Sequence, residues 1–167
     1  MLDLLKTSLK KLNKFKEFKK YKKENPDAYL TSGFLMLDEK NKSEWQIDFY
    51  SPKKHKITSF AVNKDIKVMP SEQIFQKEVK KIEPLDINKI KITLDDAIKE
   101  INNILKKKFP YEKPSKKIII IQTLNNKETW NISYITTNFN LVNTQIDAIT
   151  GKVLESKLQP LIDLRKN

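Results

Sequence analysis

A chain of 167 residues, 38% hydrophobic and 32% charged, holds material for one ordinary domain or two small ones around a thin core. Cysteine is absent and histidine occurs once, which excludes disulfide stapling, thiolate chemistry and cysteine-based metal sites. The net charge of +12 rests almost wholly on lysine, with Arg165 the single arginine, so specific nucleic-acid readout is not expected, because base edges favour the planar arginine fork.

In chain order, Leu5, Leu9, Leu12, Phe15 and Phe18 recur at helical spacing, and Asn25-Pro26 ends that helix. "AYLTSGFLML" (28–37) reads as a strand, followed by a polar turn from Asp38 to Ser43. "EWQIDFYS" (44–51) alternates strictly, with Trp45, Ile47 and Phe49 on a buried face and Gln46 and Asp48 on a wet one. "HKITSFAV" (55–62) and "IKVM" (66–69) complete an antiparallel meander. Residues 71–92 are too apolar for a free linker and read as a packed connector. Within it Ile74, Phe75, Val79 and Ile82 form one face of a short helix broken by Pro84, and "LDINKIKI" (85–92) is an extended lead-in.

The plan then recurs. Thr93 is an N-cap with Asp96 three residues on, a variant of the capping box. Leu94, Ala97, Ile98, Ile101, Ile104 and Leu105 make the apolar stripe, and Lys106-Lys107-Lys108 and Pro110 close the helix. "KKIIIIQTL" (116–124), "TWNISYIT" (129–136), "NLVNTQIDA" (140–148) and "KVLES" (152–156) are the strands of a second meander. "TWNISYIT" aligns with "EWQIDFYS" without gaps, Trp130, Ile132 and Tyr134 matching Trp45, Ile47 and Phe49. The fold class expected is therefore α+β, in two similar units, each a helix packed on an antiparallel meander of three to four strands. The first spans 1–70, the connector 71–92, and the second 93–167 with a C-terminal tail.

No catalytic constellation emerges. His55, beside Lys53, Lys54 and Lys56, reads as an exposed loop residue. Two glycines, Gly33 and Gly151, preclude a phosphate-cradling loop, and Asp95 and Asp96 sit where a helix cap wants them. Trp45 and Trp130 lie on the apolar parity and read as core rather than stacking platforms. Lysine-rich residues 10–23 read as a solvated helix face. Neither enzyme activity, cofactor nor metal is expected. Binding is expected instead by strand addition to an exposed sheet edge, which needs only backbone groups, or on the polar parity of the strands: Gln46, Asp48, Asn131, Ser133, Asn143 and Gln145.

"QIDAITGKVLES" turns on Gly151, whose positive φ a short hairpin loop needs. With "TLDDAIKEI" and the Trp130 strand before it, this segment resembles the PepSY domain over about residues 92–156. Asp95, Asp96, Ala97, Trp130, Asp147, Ala148, Thr150, Gly151, Val153 and Leu154 carry the match. In the first unit Asn63-Lys64-Asp65 stands where Thr-Gly would be, so that copy is degenerate. The resemblance implies a non-catalytic module binding a protein or peptide partner, with peptidase regulation the usual suggestion; it settles no ligand residues. The alternative is a basic protein associating non-specifically with nucleic acid or another polyanion. No window is long enough to span a membrane, and the N-terminal run has neither an apolar h-region nor a small-residue cleavage site. A cytoplasmic location is expected, or an extracytoplasmic one if a signal has been removed.

Overall fold

The computed structural model describes residues 2–40, 44–69, 72–73 and 82–166, with side chains over 5–40, 44–69 and 82–164. The proposed connector helix at Ile74, Phe75 and Val79 lies outside the described residues.

Among the described residues the α-helices are α1 (Leu2–Lys14), α2 (Lys16–Glu24) and α3 (Leu94–Lys108). The single N-terminal helix expected from the sequence is two, because Phe15 takes an extended conformation (φ −76°, ψ 130°). That break turns the chain so that Leu5 and Leu12 of α1 and Phe18 of α2 all reach one core. Thr93 caps α3 as expected: its hydroxyl accepts from the Asp96 N–H at 3.1 Å and donates to the Asp96 carboxylate at 2.7 Å.

Among the described residues the strands are β1 (Tyr29–Asp38), β2 (Trp45–Ser51), β3 (Lys56–Val62), β4 (Ile66–Val68), β5 (Glu72–Gln73), β6 (Pro114–Leu124), β7 (Lys127–Thr136), β8 (Asn140–Asp147) and β9 (Val153–Pro160). They make one antiparallel sheet in the order β4-β3-β2-β1-β6-β7-β8-β9, with β5 pairing the far end of β3. The joint is β1 against β6, in register from Ser32↔Gln122 to Asp38↔Lys116. Pairing these two strands removes one free edge from each meander, which is how the two runs share a core.

Register places the apolar parity of every long strand on the same side. Trp45 faces Val62, Ile47 faces Phe60, Leu35 faces Ile119, Ile121 faces Trp130, and Tyr134 faces Val142. All these residues are buried in a single cluster with Leu94, Ala97, Ile101 and Leu105 of α3. Gly33 sits at the crowded centre of that face. A Cβ there would lie 3.1 Å from Ile121 Cγ2, 3.2 Å from Trp45 Cζ3 and 3.3 Å from Leu5 Cδ1, so glycine lets α1 and Trp45 close over the β1–β6 joint.

The lead-in to α3 is not simply extended. A 3-10 turn at Ile87–Lys89 interrupts it, capped by the Asp86 carboxylate, which accepts from the Asn88 N–H. Leu85 and Ile90 on either side are buried, and the Lys91 and Ile92 N–H groups both donate to the Ala148 carbonyl at 2.9 Å. The connector is thus fastened to the turn after β8.

Candidate binding face

The described helices cover one face of the sheet, and the opposite face carries the polar parity. All six residues proposed from the sequence fall on this open face, in two groups. On β2, Asp48 accepts from the Ser32 hydroxyl at 2.8 Å and from the Gln46 amide at 3.1 Å, and Gln46 also donates to Ser59 Oγ at 3.3 Å. On β7 and β8, the Asn143 amide donates to Asn131 Oδ1 and to Ser133 Oγ, both at 2.8 Å. Gln145 pairs across with Asn131 on one side and Glu155 on the other.

Sequence reasoning missed what lies between the groups. Phe34 and Met36 of β1 face Ile120 and Ile118 of β6, all four half-buried on the open side. Two polar clusters therefore flank an apolar strip, with β2 and β7 about 14 Å apart across three strand spacings. The unbroken Ile118–Ile121 run was the available signal, since a strand apolar on both parities has something to cover on both faces.

The edges differ in what they offer. Edge strand β4 has three residues and β9 has eight. Glu155 and Lys157, paired at 3.4 Å, and the terminal Pro160 decorate β9 with the charge and proline that discourage strand addition.

The other sequence-singled residues resolve as structure. Trp45 and Trp130 are buried, at 3% and 0% exposure. His55 is exposed in the β2–β3 turn, where it adopts φ 49°. Most lysines of residues 10–23 are exposed, and several make local contacts: Lys11 donates to the Asn63 and Lys64 carbonyls and Lys22 to the Ala28 carbonyl at 2.7 Å. Gly151 has φ 78° as required. Asp147 Oδ1 accepts from the N–H groups of Ile149 at 2.8 Å and Thr150 at 3.0 Å. Burial pushes the Asp147 carboxyl up, but those backbone N–H groups outweigh it and hold the group below its ordinary value.

A cleft of about 510 Å³ opens between the connector and the β6–β7 hairpin, lined in part by Glu83, Asp86, Lys89 and Glu128. Its acids serve the fold: Glu128 pairs with Lys89 at 3.6 Å, Glu83 accepts from the Asn126 N–H at 3.0 Å, and Asp86 caps the 3-10 turn. No helix among the described residues is long and apolar enough to cross a membrane.

No family model and no curated protein matches the chain. Among solved structures, a protein from Clostridium difficile 630 described as a "putative lipoprotein" is similar over 86% of this chain and 90% of that one, at 17% identity and a TM-score of 0.54. The likeness shows a shared fold. That neighbour's description as a lipoprotein stands against the cytoplasmic location expected from the sequence.

Proposed function

We propose that this protein is a non-enzymatic, PepSY-like binding module that engages a peptide or protein segment on the open face of its sheet. In this reading the chain is a tandem pair of helix-plus-meander units, the first degenerate, fused through β1 and β6, and it works outside the cytoplasm. Regulation of a peptidase is the role that the PepSY resemblance implies.

The observation that carries the proposal is the composition of the open face. An apolar strip of Phe34, Met36, Ile118 and Ile120 lies between two sets of polar side chains already tied into hydrogen-bonded groups. Such groups keep their geometry without a ligand, so docking costs little side-chain entropy. The strip supplies apolar area, and the flanking amides and carboxylate supply direction. This arrangement favours the face over the charged, proline-ended β9 edge, the other place where a peptide can dock.

The test is selection from a random-peptide display library on the immobilised full chain. A chain carrying Gln46→Lys and Asn143→Lys, one change in each polar group, serves as the counter-target. Peptides that bind the native chain and lose about tenfold or more on the variant support the proposal. Failure to enrich any peptide, or equal binding to both chains, contradicts it.

A further inference from the structure

We infer that the end of the molecule formed by the α3–β6 loop, the β7–β8 turn and the C-terminal 3-10 turn (Leu161–Lys166) is a docking tip for an anionic lipid surface. The inference is independent of the open-face reading.

Most large apolar side chains exposed in the second half gather here. Tyr111 is 86% exposed, Phe139 77% and Ile162 67%, and Leu164 is exposed beside them. Hydrogen bonds bring their three segments together. Asn138 Nδ2 donates to the Tyr111 carbonyl at 3.1 Å, and the Leu161 N–H donates to the Phe139 carbonyl at 2.9 Å.

Phe139 adopts φ 59°, a left-handed conformation that a bulky side chain rarely takes. Strain held at an exposed aromatic marks a position kept for something other than stability. A rigid knot beneath holds it. The Glu112 carboxylate accepts from the Thr136 hydroxyl, from Asn140 Nδ2 at 2.9 Å and from Asn138 Nδ2 at 3.4 Å. The Thr136 hydroxyl and the two asparagines outweigh the effect of burial and hold Glu112 below its ordinary range. The base of the tip is therefore fixed and charged, and the aromatics project from it.

Chemistry decides the occupant. Lys106, Lys107, Lys108 and Lys113 are exposed in the segment that carries Tyr111; the acids at this end are Glu112, occupied by the knot, Asp163, and Asp38 and Glu39, which line a cleft with Pro114, Ser115 and Lys117. Aromatic and aliphatic tips ringed by lysine match the headgroup boundary of an anionic bilayer, where rings sit at the interface and ammonium groups reach the lipid charge. A folded protein partner would instead receive such anchors in pockets of its own and seal them with a rim. Here the apolar groups project from adjoining turns at one end of the sheet. The adjoining cleft of about 230 Å³ is lined by Lys106, Phe109, Pro110 and Glu112 among others, without Tyr111 or Phe139.

The experiment is sedimentation of the full chain with vesicles of phosphatidylcholine alone and of phosphatidylcholine mixed with phosphatidylglycerol. The native chain should partition to the mixed vesicles at least about tenfold more strongly, with the difference shrinking as salt rises. Tyr111→Ser with Phe139→Gly should lose that binding about tenfold. Both sites are exposed and glycine accommodates the positive φ, so the double variant keeps its fold, which an unchanged circular dichroism spectrum verifies. Lys107→Glu with Lys113→Glu should weaken binding and flatten its salt dependence. No partition to either vesicle, equal partition to both, or undiminished binding by the aromatic variant would overturn the inference. So would self-association of the native chain through the tip, seen as a dimer that the aromatic variant abolishes, without vesicle binding.

Discussion

Trp45 and Trp130 stand at matching places in two strands that alternate alike, yet they are fastened differently. The Trp130 indole N–H donates to the Ile92 carbonyl at 2.9 Å, tying β7 to the segment that starts α3. The buried Trp45 indole nitrogen has no hydrogen-bond partner among the described residues. Around it the first half relies on rings: Phe18 lies 4.9 Å from Phe49 and 5.2 Å, edge-on, from Phe60, with Tyr21 5.3 Å from Phe60. The second half adds directional bonds. Its β8–β9 turn is bound by Asp147 and shaped by Gly151, and its β8 end holds the connector through the Ala148 carbonyl. The corresponding β3–β4 turn is bound by Asn63 Oδ1, which accepts from the Asp65 N–H at 2.7 Å, and by the exposed Lys11, which donates to the Asn63 and Lys64 carbonyls, and it leads into a strand of three residues. Similar apolar patterns thus build similar strands, while polar fastening sets how firmly each half is held.

The sharpest way to break this comparison is at the tryptophans. Trp130→Ala should cost about 3–5 kcal/mol in cavity and transfer terms. Trp130→Phe should cost about 1 kcal/mol more than Trp45→Phe, because only the former leaves a half-buried carbonyl without its donor. Denaturant midpoints of the three variants measure this, and equal costs for the two phenylalanine changes would erase the distinction.

At the turns, Gly151→Val should destabilise by roughly 1–3 kcal/mol. The side chain would have to adopt φ 78°, with its Cβ 3.2 Å from Ile92 Cδ1. In the β3–β4 turn, Lys64→Val should shift the midpoint far less, since that turn has no positive φ.

A smaller effect of opposite sign is expected at Phe139. Relief of a left-handed residue, about 1–2 kcal/mol, exceeds the entropic cost of glycine, about 0.5–1 kcal/mol, so Phe139→Gly should stabilise by about 0.5–1 kcal/mol. Thermal or denaturant unfolding reads it directly.

Acid titration should bear on both halves: in the first, the Lys53 N–H and the Ser51 hydroxyl hold the Asp27 carboxyl below its ordinary value, and in the second two carboxyls behave alike. Asp147 and Glu112 are held below their ordinary values of 3.8 and 4.5. A depressed folded pKa contributes stability that is present above the unfolded value and is lost as pH falls through the folded one. Stability should therefore decline as pH drops below about 4.5. Asp147→Asn and Glu112→Gln should each flatten that decline in stepped-pH denaturation.

Much of the sheet was legible because period-two alternation fixes which side of a strand is buried, and the buried Trp45, Ile47, Trp130 and Ile132 follow it. Gly151 was legible because a turn demands a conformation that glycine supplies. The β1–β6 joint was not, since pairing between strands distant in the chain leaves no local mark. Neither was the break at Phe15, where apolar spacing continues and tertiary packing chooses the bend. Of the candidate site, the polar members were visible as the wet parity. The strip of Phe34, Met36, Ile118 and Ile120 was hidden because those residues read as core until the helices were placed on the other face. The tip at Tyr111 and Phe139 carries no periodic signal at all, and its meaning depends on exposure.

The open face is the place where a partner is expected to bind. Backbone-amide chemical-shift mapping of the full chain, titrated with a peptide enriched by the display selection, tests it most directly. Perturbations are predicted along β1, β2, β6, β7 and β8, centred on Phe34, Asp48, Ile120, Asn131 and Asn143, with α3 unchanged. Shifts confined to the β9 edge or to the helix-covered side would contradict the central claim.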